Sequence, residues 1–389
     1  MTEPMPKRVF ISVAEDSADV HAAALIRTAA EMLPHCRFYG LTGPRMRAAG
    51  AETIADLTSH AAMLAGVVSL VGRAWRTVRL VERSWRSDPP DLVVLLDSPE
   101  LHLRMAKRAK RRGLPVLYYI APQTWAARQR RNKQIAENVD RLACILPFEQ
   151  DYFRRASVQA EYVGHPLFET LRCEVPQPEV GDRLWADGHP VVALLPGSRR
   201  HVIDAMLPLQ LEVIRHLRAA GTSLTAAISC VSPQRRDQIQ WHLSASGESA
   251  GIIVGDNASL LTACDLALVA SGTATLQVAF YRKPMIVMYD AGPLLSVFHR
   301  LFGRLVIRTP HLALVNVLAQ RRIVPEFMPF VRDTEAVAKT ATQLLSDDAW
   351  RRLMIQQLDE VVAPLEQSEA SDNVCRMIGE TLAERRPAQ

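Results

Sequence analysis

The sequence predicts an α/β protein that contains two doubly wound parallel-sheet domains in succession. Short apolar or β-branched runs alternate with amphipathic helical segments along the chain, a pattern typical of parallel strands joined by crossover helices. The pattern is interrupted once, by an acidic, proline-containing stretch at 173–190 that lacks periodicity and is predicted to be a linker. The length of 389 residues also suits two domains, since one domain usually holds about 100–200 residues.

The predicted strands fall into two groups, one on each side of this linker. The first group lies at 9–14, 92–97, 116–121 and 141–146. The second group lies at 191–196, 224–231, 251–255, 266–271 and 284–289, with helical periodicity between the strands. Near the C-terminus the sequence predicts helices without strands, most clearly at 350–362 and 373–383. We therefore predict domains over residues 1–170 and 190–345, followed by C-terminal helices over 346–389.

The composition is that of a folded globular protein. Hydrophobic residues make up 48% of the chain and charged residues 22%, which excludes wholesale disorder and fibrous rods. The longest apolar stretch, Ala61–Gly72, is too short to cross a bilayer, which takes about 20 residues. The N-terminus shows no secretory signal, so we expect a cytoplasmic protein.

The cysteines and histidines indicate neither a metal site nor structural disulfides. The six cysteines are scattered without a C-x-x-C pair, and several lie in apolar segments, where a reduced thiol behaves as a small hydrophobic group. The histidines show no H-E-x-x-H spacing. We therefore expect no metal and no disulfide.

The positive charge of the chain is concentrated in one region. The formal net charge is only +5, yet the stretch 73–133 holds 15 Lys and Arg against 5 Asp and Glu, a local excess of +10. Such a stretch can bind nucleic acid, anionic lipid or a phosphorylated substrate, or it can consist of solvated helix faces. No nucleic-acid reader motif accompanies it, so nucleic acid is the least favoured partner.

Two doubly wound domains are expected to face a cleft, with ligands bound at the carboxyl ends of the strands. In the first domain, small and acidic residues over Ser12–Ala23 follow the first strand and lead into a helix. A turn of this kind directs backbone N–H groups and short polar side chains toward an anion or a sugar. Ordinary helix capping by Ser17 or Asp19 explains the pattern equally well, and no G-x-G-x-x-G motif indicates a dinucleotide.

Asp97 stands directly after five apolar residues, at the carboxyl end of a predicted strand. A charged group is costly there unless it faces a cleft, so the position suits a general base that deprotonates an acceptor hydroxyl. The alternative is an N-cap for a helix over the segment that starts at Leu101.

Two turns in the second domain are predicted to hold phosphate groups. In 196–199 a glycine allows close approach of the backbone to a ligand, and the Arg199 guanidinium can grip a phosphate through two charge-assisted hydrogen bonds. The Ser-Gly-Thr turn at 271–273 supplies two hydroxyls and unpaired N–H groups at a helix start, which suits a diphosphate. The alternatives are a surface arginine pair and a routine N-cap. Neither turn is a Walker loop, because G-x-x-x-x-G-K-[ST] is absent.

With these features in this order, the chain resembles the lipid-A-disaccharide synthase family of glycosyltransferases over nearly its whole length. The turn at Ser12–Ala23 is similar to the family motif S-A-G-E-x-S-G-D-x-H-G-A. Further matches follow collinearly at 40–46, 97–100, 119–126, 146–149, 163–167, 195–199, 270–274 and 316–319. So many ordered matches are far more specific than any single turn.

The resemblance implies a GT-B architecture, in which two Rossmann-like domains face a cleft and the C-terminal helices pack back on the N-terminal domain. The first domain would bind the acceptor and the second the nucleotide-sugar donor. The reaction would be an inverting transfer from UDP-2,3-diacylglucosamine to 2,3-diacylglucosamine 1-phosphate, which gives a β-1,6 disaccharide 1-phosphate and UDP in lipid A biosynthesis. No cofactor and no metal are expected, since the UDP-sugar is itself a substrate.

The resemblance also assigns roles to individual residues. Asp97 and Glu15 would be catalytic, with Asp97 taking the acceptor hydroxyl proton while Arg199 offsets charge on departing UDP. The residues expected to bind the donor are Gly197, Ser198, Arg199, Ser271, Gly272, Thr273, Gln277 and Asn316. The residues expected to bind the acceptor are Ser17, Asp19, Gln123 and Trp125.

Acylated substrates would explain why the chain carries the apolar run Met63–Val71 beside basic residues and the indoles of Trp75, Trp85 and Trp125. Each methylene withdrawn from water contributes about 0.8 kcal/mol, and Lys and Arg attract anionic headgroups and the acceptor phosphate. We therefore expect peripheral association with the inner face of the cytoplasmic membrane. Amphipathic helices packed in the core are the alternative for this region. An oligomer is compatible with the sequence.

The chain departs from the family at several motif positions. Ala14, Ala18 and Ala22 replace three glycines of the first turn, at a cost of about 1 kcal/mol or more wherever the position needs a positive φ. Gln277 stands where the family has a Glu that is expected to bind the nucleotide ribose. An amide can still bond two hydroxyls, though more weakly than a carboxylate.

Around Asn316 three further positions differ from the family, at Val315, Gln320 and Arg322. These departures leave two other functions open. One is a divergent, non-catalytic paralogue that binds a nucleotide sugar or lipid without transferring it. The other is a UDP-sugar 2-epimerase, which shares the architecture but needs no apolar acceptor surface. Because the acidic and basic site residues remain, activity is favoured over decay.

Overall fold

A computed structural model describes residues 6–58, 67–290, 311–328, 330–331 and 333–384 of the chain. The chain divides into two units: unit 1 comprises Met1–Pro166 and Ser368–Gln389, and unit 2 comprises Leu167–Gln367. Residues 63–66 of the predicted apolar run Met63–Val71 lie outside the described residues, and so do the side chains of residues 67–71 and of Trp75. Among the described helices, none combines the length and hydropathy that a bilayer span requires.

Unit 1 is built on a parallel sheet of seven described strands in the order β3-β2-β1-β4-β5-β6-β7. These strands are β1 (Lys7–Ser12), β2 (Cys36–Leu41), β3 (Glu52–Ala55), β4 (Leu92–Leu96), β5 (Val116–Tyr119), β6 (Arg141–Cys144) and β7 (Ala160–Tyr162). Its helices up to residue 166 are α1 (Asp16–Met32), α2 (Pro44–Ala48), α3 (Val67–Ser87), α4 (Pro99–Lys110), α5 (Arg131–Asn138) and α6 (Pro147–Arg154).

Unit 2 is built on a second parallel sheet, whose described strands have the order β10-β9-β8-β11-β12-β13. They are β8 (Val191–Leu195), β9 (Thr225–Cys230), β10 (Gly251–Val254), β11 (Leu266–Ala270), β12 (Met285–Met288) and β13 (Glu326–Phe327). The helices are α7 (Pro166–Arg172), α8 (Pro178–Leu184), α9 (Arg200–Ala219), α10 (Pro233–Ser246), α11 (Asn257–Ala263), α12 (Ala274–Phe280), α13 (Leu314–Ala319), α14 (Thr334–Ser346) and α15 (Asp348–Glu366). The chain then returns to unit 1 in α16 (Ala370–Glu384).

Helices cover both faces of the unit 1 sheet. Every residue of β4 is buried, as expected for a strand between two helical layers. One face packs against α1 and α16, and the other packs against α3, α4 and α5. Trp85 of α3 belongs to this second layer, where its ring meets the edge of Phe10 at a centroid distance of 5.1 Å. Trp85 is therefore a core residue. For this residue the alternative of an amphipathic helix packed in the core is correct, and a lipid contact is not.

The predicted fold class of two Rossmann-like parallel-sheet domains with C-terminal helices is confirmed. Each sheet also contains one switch point, where the strand order changes direction: between β1 and β4 in unit 1, and between β8 and β11 in unit 2. At a switch point the flanking crossovers leave toward opposite faces and open a crevice at the carboxyl ends of the strands. The segments that follow these four strands therefore border the crevices where such sheets bind ligands.

The stretch 173–190, which the sequence predicts to be a linker, is an ordered part of unit 2. Its helix α8 packs against α11. The backbone N–H of Gln177 donates to Ser259 Oγ at 2.7 Å, and the Trp185 indole donates to the carbonyl oxygen of Ala263 at 2.9 Å. With only seven residues, α8 is too short to produce the periodicity from which helices are predicted.

The two C-terminal helices belong to different units, which differs from the prediction that both pack on the N-terminal domain. α16 packs against α1 in unit 1, as predicted. α15 packs instead against α12, α13 and α14 of unit 2. Arg282 reinforces this placement, because its guanidinium binds both Asp359 and Glu366 of α15. The apolar side of α15 is thus already covered within unit 2.

Candidate functional site

The switch point of unit 1 brings three of the predicted site residues to one edge of the sheet. β1 and β4 are paired with Ser12 opposite Leu95, so the segments that follow the two strands start side by side. Glu15 is the extended N-cap residue of α1, with φ −132° and ψ 154°, and Ser17 is exposed in the first helical turn. Asp97 directly follows β4. The structure therefore groups Glu15, Ser17 and Asp97 at the crevice of unit 1.

The three alanines that replace family glycines cause no backbone strain. None of Ala14, Ala18 and Ala22 has a positive φ. Ala18 and Ala22 lie within α1 and are buried in the core of unit 1. The cost expected for a positive φ at these positions does not arise, so the altered motif gives no physical reason to expect a damaged turn.

Asp97 and Ser98 both adopt the left-handed backbone conformation, with φ of 50° and 45°. This conformation costs roughly 1–2 kcal/mol for a residue other than glycine, and it persists only where the surroundings enforce it. Here the Asp97 carbonyl oxygen accepts hydrogen bonds from the Tyr118 hydroxyl at 2.5 Å and from His102 Nδ1 at 2.7 Å. Ser98, not Asp97, is the N-cap of α4, so the N-cap alternative does not account for Asp97.

Asp19 has a structural role, which differs from the acceptor contact predicted for it. Its side chain is fully buried, and its two carboxylate oxygens accept the backbone N–H groups of Arg45 and Met46 at 2.9 and 3.1 Å. These are the first free N–H groups of α2, so Asp19 caps that helix from a distant part of the chain. Gly43 is required beside it, because a Cβ there would lie 2.3 Å from the Asp19 carboxylate carbon.

Trp125 is held in place by a buried carboxylate, while Gln123 in the same loop is exposed. The indole Nε1 of Trp125 donates to Glu149 Oε1 at 3.0 Å. The other oxygen of Glu149 accepts the backbone N–H groups of Ile145 and Leu146. Burial raises the pKa of Glu149 to about 7, although these three donors favour its charged form. Sequence analysis missed Glu149 as the residue that anchors the loop carrying both predicted acceptor residues.

The first predicted phosphate-binding turn follows β8, at the switch point of unit 2. Gly197 has a φ of 103°, and a Cβ there would lie 2.9 Å from a side-chain carbon of Val202, so only glycine fits without strain. Ser198 and Arg199 are exposed after it. Arg199 is the extended N-cap residue of α9, a helix of 20 residues. Its guanidinium is therefore carried at the start of a long helix, where positive charge from the helix dipole also attracts anions.

The second predicted turn follows β11, on the other side of the same switch point. Gly272 has a φ of 132°, and Gly272 and Thr273 are exposed. The turn is closed by Thr275, whose N–H and hydroxyl both donate to the Gly272 carbonyl oxygen. Ser271 is tied to β12 through its N–H, which donates to the Met288 carbonyl oxygen. The structure thus brings both turns to one crevice within unit 2.

Gln277 lies one helical turn behind this second loop and is oriented by neighbouring side chains. Its Oε1 accepts a hydrogen bond from Asn257 Nδ2 at 3.2 Å, and Asn257 Oδ1 accepts one from the Ser229 hydroxyl at 2.6 Å. Ser229 lies near the carboxyl end of β9, and Asn257 begins α11. The amide oxygen of Gln277 therefore supplies the acceptor for the Asn257 side-chain N–H.

Asn316 has a structural role, which differs from the donor contact predicted for it. Its side chain is fully buried in α13. Its Oδ1 accepts the N–H groups of Ile323 and Val324 at 2.8 and 3.0 Å. Its Nδ2 donates to the Val324 carbonyl oxygen and to Glu326 Oε2. Both donors and both acceptor positions of the amide are thus occupied, and Asn316 clamps the loop that leads into β13.

Replacing Asn316 with Ala is expected to lower the free energy of unfolding by about 2–4 kcal/mol, because two buried N–H groups lose their acceptor. Urea unfolding followed by circular dichroism measures this loss. Arg321→Ala serves as the control, since it removes only an exposed ion pair with Glu360 and should cost under about 1 kcal/mol. If Asn316→Ala keeps wild-type stability but weakens UDP binding, the structural role is refuted and the donor contact is restored.

Three histidines of unit 1 were given no role by sequence analysis: His102 and His165, which are buried, and His21, which is partly buried. Burial lowers the pKa of His21 and of His102 to about 4, and that of His165 to about 3, so all three rings are neutral at neutral pH. His21 and His165 lie within segments that match family motifs, which is a signal that could have singled them out. Across the described ranges, no group of three His, Cys, Asp or Glu side chains is arranged to hold a metal ion.

Part of the positive charge in 73–133 is offset by ion pairs within unit 1. The pairs join Arg108 and Arg112 to Glu82, Arg128 and Arg131 to Glu100, and Lys110 to Asp140. On α3, in contrast, one side is buried and the other is lined by exposed arginines, namely Arg76, Arg79, Arg83 and Arg86. The uncompensated positive charge of unit 1 is therefore carried by fewer residues than the sequence alone indicates.

Comparison with known proteins adds an independent finding. The sequence matches the family model for lipid-A-disaccharide synthetase over residues 9–376. The lipid-A-disaccharide synthase of Geobacter sulfurreducens is 33% identical over 390 residues, which cover 99% of this chain and 100% of that relative.

Two solved structures share the fold. The S. aureus MnaA–UDP co-structure has a TM-score of 0.67 at 13% identity, over 99% of this chain and 100% of that one. CalG4, the calicheamicin glycosyltransferase, has a TM-score of 0.59 at 13% identity, over 99% of this chain and 100% of that one. At such low identity the likeness concerns the fold alone, whereas the sequence matches extend across both units.

Proposed function

The chain belongs to the lipid-A-disaccharide synthase family, and on this premise we propose that it is an inverting hexosyltransferase of lipid A biosynthesis. It transfers the sugar of UDP-2,3-diacylglucosamine to 2,3-diacylglucosamine 1-phosphate and releases the β-1,6 disaccharide 1-phosphate and UDP. The observation that best supports this proposal is the enforced left-handed backbone of Asp97 at the switch point of unit 1. Strain of this kind is retained at sites where a side chain must be held in one orientation.

In this mechanism the unit 1 crevice binds the acceptor. The Asp97 carboxylate takes the proton from the acceptor hydroxyl, and the oxygen attacks the anomeric carbon of the donor as the bond to UDP breaks. Attack from the face opposite the leaving group inverts the configuration. Glu15 and Ser17, on the same sheet edge, hold the acceptor sugar through its other hydroxyls. Gln123 and Trp125, whose loop Glu149 anchors, complete the acceptor site.

The unit 2 crevice binds the donor. Arg199 and the hydroxyls of Ser198, Ser271 and Thr273 bind the diphosphate and offset the charge that develops on departing UDP. The glycines Gly197 and Gly272 let the backbone approach the phosphates closely. Gln277 binds the ribose hydroxyls in place of the family Glu. Arg199 supplies the positive charge that a metal ion provides in other transferases, so we propose that the reaction needs no metal.

The lipid portion of the substrates places the enzyme at the inner face of the cytoplasmic membrane. The exposed arginines of α3 attract anionic headgroups, and the apolar run Met63–Val71 just before them in sequence contacts acyl chains. Two features speak against the alternatives. The absence of strain at the altered glycines removes one of the departures that motivate a non-catalytic paralogue. Membership of the synthase family disfavours a UDP-sugar 2-epimerase.

Purified protein incubated with both diacylated sugars in detergent is expected to form the disaccharide 1-phosphate and UDP in equal amounts, as measured by mass spectrometry and a UDP assay. Turnover should persist in excess chelator, because no metal takes part. Binding of either sugar without UDP release would support the non-catalytic paralogue. Conversion of UDP-N-acetylglucosamine alone to its 2-epimer would decide for the epimerase.

A further inference from the structure

A buried hydrogen-bonded chain connects the two strands that flank the switch point of unit 1. His102 Nδ1 lies 2.7 Å from the Asp97 carbonyl oxygen, and His102 Nε2 lies 2.8 Å from Ser12 Oγ. Ser12 is the last residue of β1, and Asp97 directly follows β4. The side chains of Ser12 and His102 are fully buried. One imidazole on α4 therefore ties the end of β1 to the backbone of the proposed base.

The partners of His102 determine where its proton sits. A carbonyl oxygen can only accept a hydrogen bond, so Nδ1 carries the hydrogen and donates it to Asp97. Nε2 is then the acceptor, and the Ser12 hydroxyl donates to it. Burial lowers the pKa of His102 to about 4, which keeps this neutral tautomer in place at neutral pH. The ring thus acts as a fixed donor toward Asp97, oriented by Ser12.

Hydrogen bonds to the Asp97 carbonyl oxygen can hold the backbone of this residue in its left-handed conformation. In the left-handed conformation this oxygen meets two donors, His102 Nδ1 and the Tyr118 hydroxyl, and Tyr118 is itself fully buried. The Asp97 N–H is bound at the same time, to the Tyr119 carbonyl oxygen at 3.1 Å. Rotation of Asp97 to a negative φ would turn its carbonyl oxygen away from both donors and leave buried polar groups unsatisfied.

We propose that His102 is a positioning residue for the transfer reaction: through its bond to the Asp97 carbonyl oxygen it holds the left-handed backbone that aims the Asp97 carboxylate at the acceptor hydroxyl. This inference rests on the proposed function for its kinetic consequence. Its structural consequence, control of the Asp97 backbone by His102, is independent of the reaction.

Two substitutions separate the two bonds of His102. In His102→Asn the amide nitrogen occupies nearly the position of Nδ1, so the donor to Asp97 remains while the bond to Ser12 is lost. In His102→Gln the amide lies nearer the position of Nε2, so the bond to Asp97 is lost. We expect His102→Gln to lower kcat roughly 10-fold to 100-fold with both KM values within about twofold, and His102→Asn to rescue most of that loss.

Two readouts distinguish positioning from general damage. In the Asp97→Asn background His102→Gln should cause no further loss of kcat, because His102 acts only through the Asp97 carboxylate. A crystal structure should find a negative φ at Asp97 in His102→Gln and a positive φ in His102→Asn. If His102→Gln does not fold, His102→Leu replaces it and should lower kcat in the same way, because a leucine fills part of the ring's volume but has no donor for the Asp97 carbonyl oxygen.

Wild-type kcat in the folded His102→Gln variant, or an equal loss in the Asp97→Asn background, would overturn the proposal. So would an unchanged left-handed Asp97 in the His102→Gln crystal structure. If the wild-type protein makes no disaccharide, the proposed function fails, yet the crystal structures still decide whether His102 controls Asp97.

Discussion

Asp97→Asn is expected to lower kcat by about 10²–10⁴-fold, the range that a general base contributes. Asparagine has nearly the same shape as aspartate but cannot accept the acceptor proton at neutral pH. It is also among the few residues that tolerate the left-handed backbone found at this position, so the variant keeps the wild-type turn. Steady-state measurements with both sugars give kcat, and calorimetric titration with UDP should find unchanged donor affinity.

The matched control for this result is Asp16→Asn, which makes the same chemical change at an exposed carboxylate in the first turn of α1. It should retain wild-type kcat, since Asp16 has no assigned contact with substrate. Glu15→Gln separates the two candidate carboxylates and should lower kcat less than Asp97→Asn does. A larger loss in Glu15→Gln than in Asp97→Asn would transfer the role of base to Glu15.

Arg199→Ala is expected to weaken UDP binding by roughly 10-fold to 100-fold, and kcat/KM for the UDP-sugar should fall at least as much. A hydrogen bond to a charged group contributes about 1.5–3 kcal/mol, and tenfold in affinity corresponds to about 1.4 kcal/mol. Because Arg199 is exposed at the start of α9, its truncation should change the free energy of unfolding by only about 0.5 kcal/mol, so the variant stays folded. Calorimetric titration of UDP against the purified variant measures the change directly.

Arg200→Ala is the matched control for this second result. Arg200 is the next residue, is also exposed, and is the first residue of α9. If the donor phosphates are gripped by one specific guanidinium, Arg200→Ala should change UDP affinity by less than about threefold. Equal losses in the two variants would mean that the arginines act only through their general positive charge, and Arg199 would lose its assigned role.

Strand placement and the positions of the two unit 2 turns were predictable because they depend on local pattern. Five consecutive apolar residues define β4, and a buried parallel strand requires such a run. The turns after β8 and β11 contain Gly197 and Gly272, both of which have a positive φ. A chemical group that directly follows a buried strand must emerge at the sheet edge, so the neighbourhood of Asp97 and of Arg199 followed from the sequence.

The separation of structural from site residues was not predictable, because it depends on partners that are remote in sequence. Asp19 lies in a matching motif, yet it caps a helix 26 positions further along the chain. Asn316 lies in another matching motif, yet its side-chain amide is hydrogen-bonded to the loop before β13. Glu149 and His102 show the converse: neither was singled out, and the folded chain uses them to anchor the Trp125 loop and the Asp97 backbone.

The sequence by itself determined two parallel-sheet units, their strands, the chemical groups at the strand ends and the family, because hydrophobic periodicity and ordered motifs are properties of the linear chain. The tertiary structure alone decided the assignment of α15 to unit 2, the burial of Trp85 and the left-handed backbone at Asp97. These features depend on hydrogen bonds and apolar contacts between side chains and groups that are far apart in the chain. The hydrogen bonds involved join residues that are 5 to 84 positions apart in the sequence. Such pairings arise only when the sheets have formed and brought those positions together.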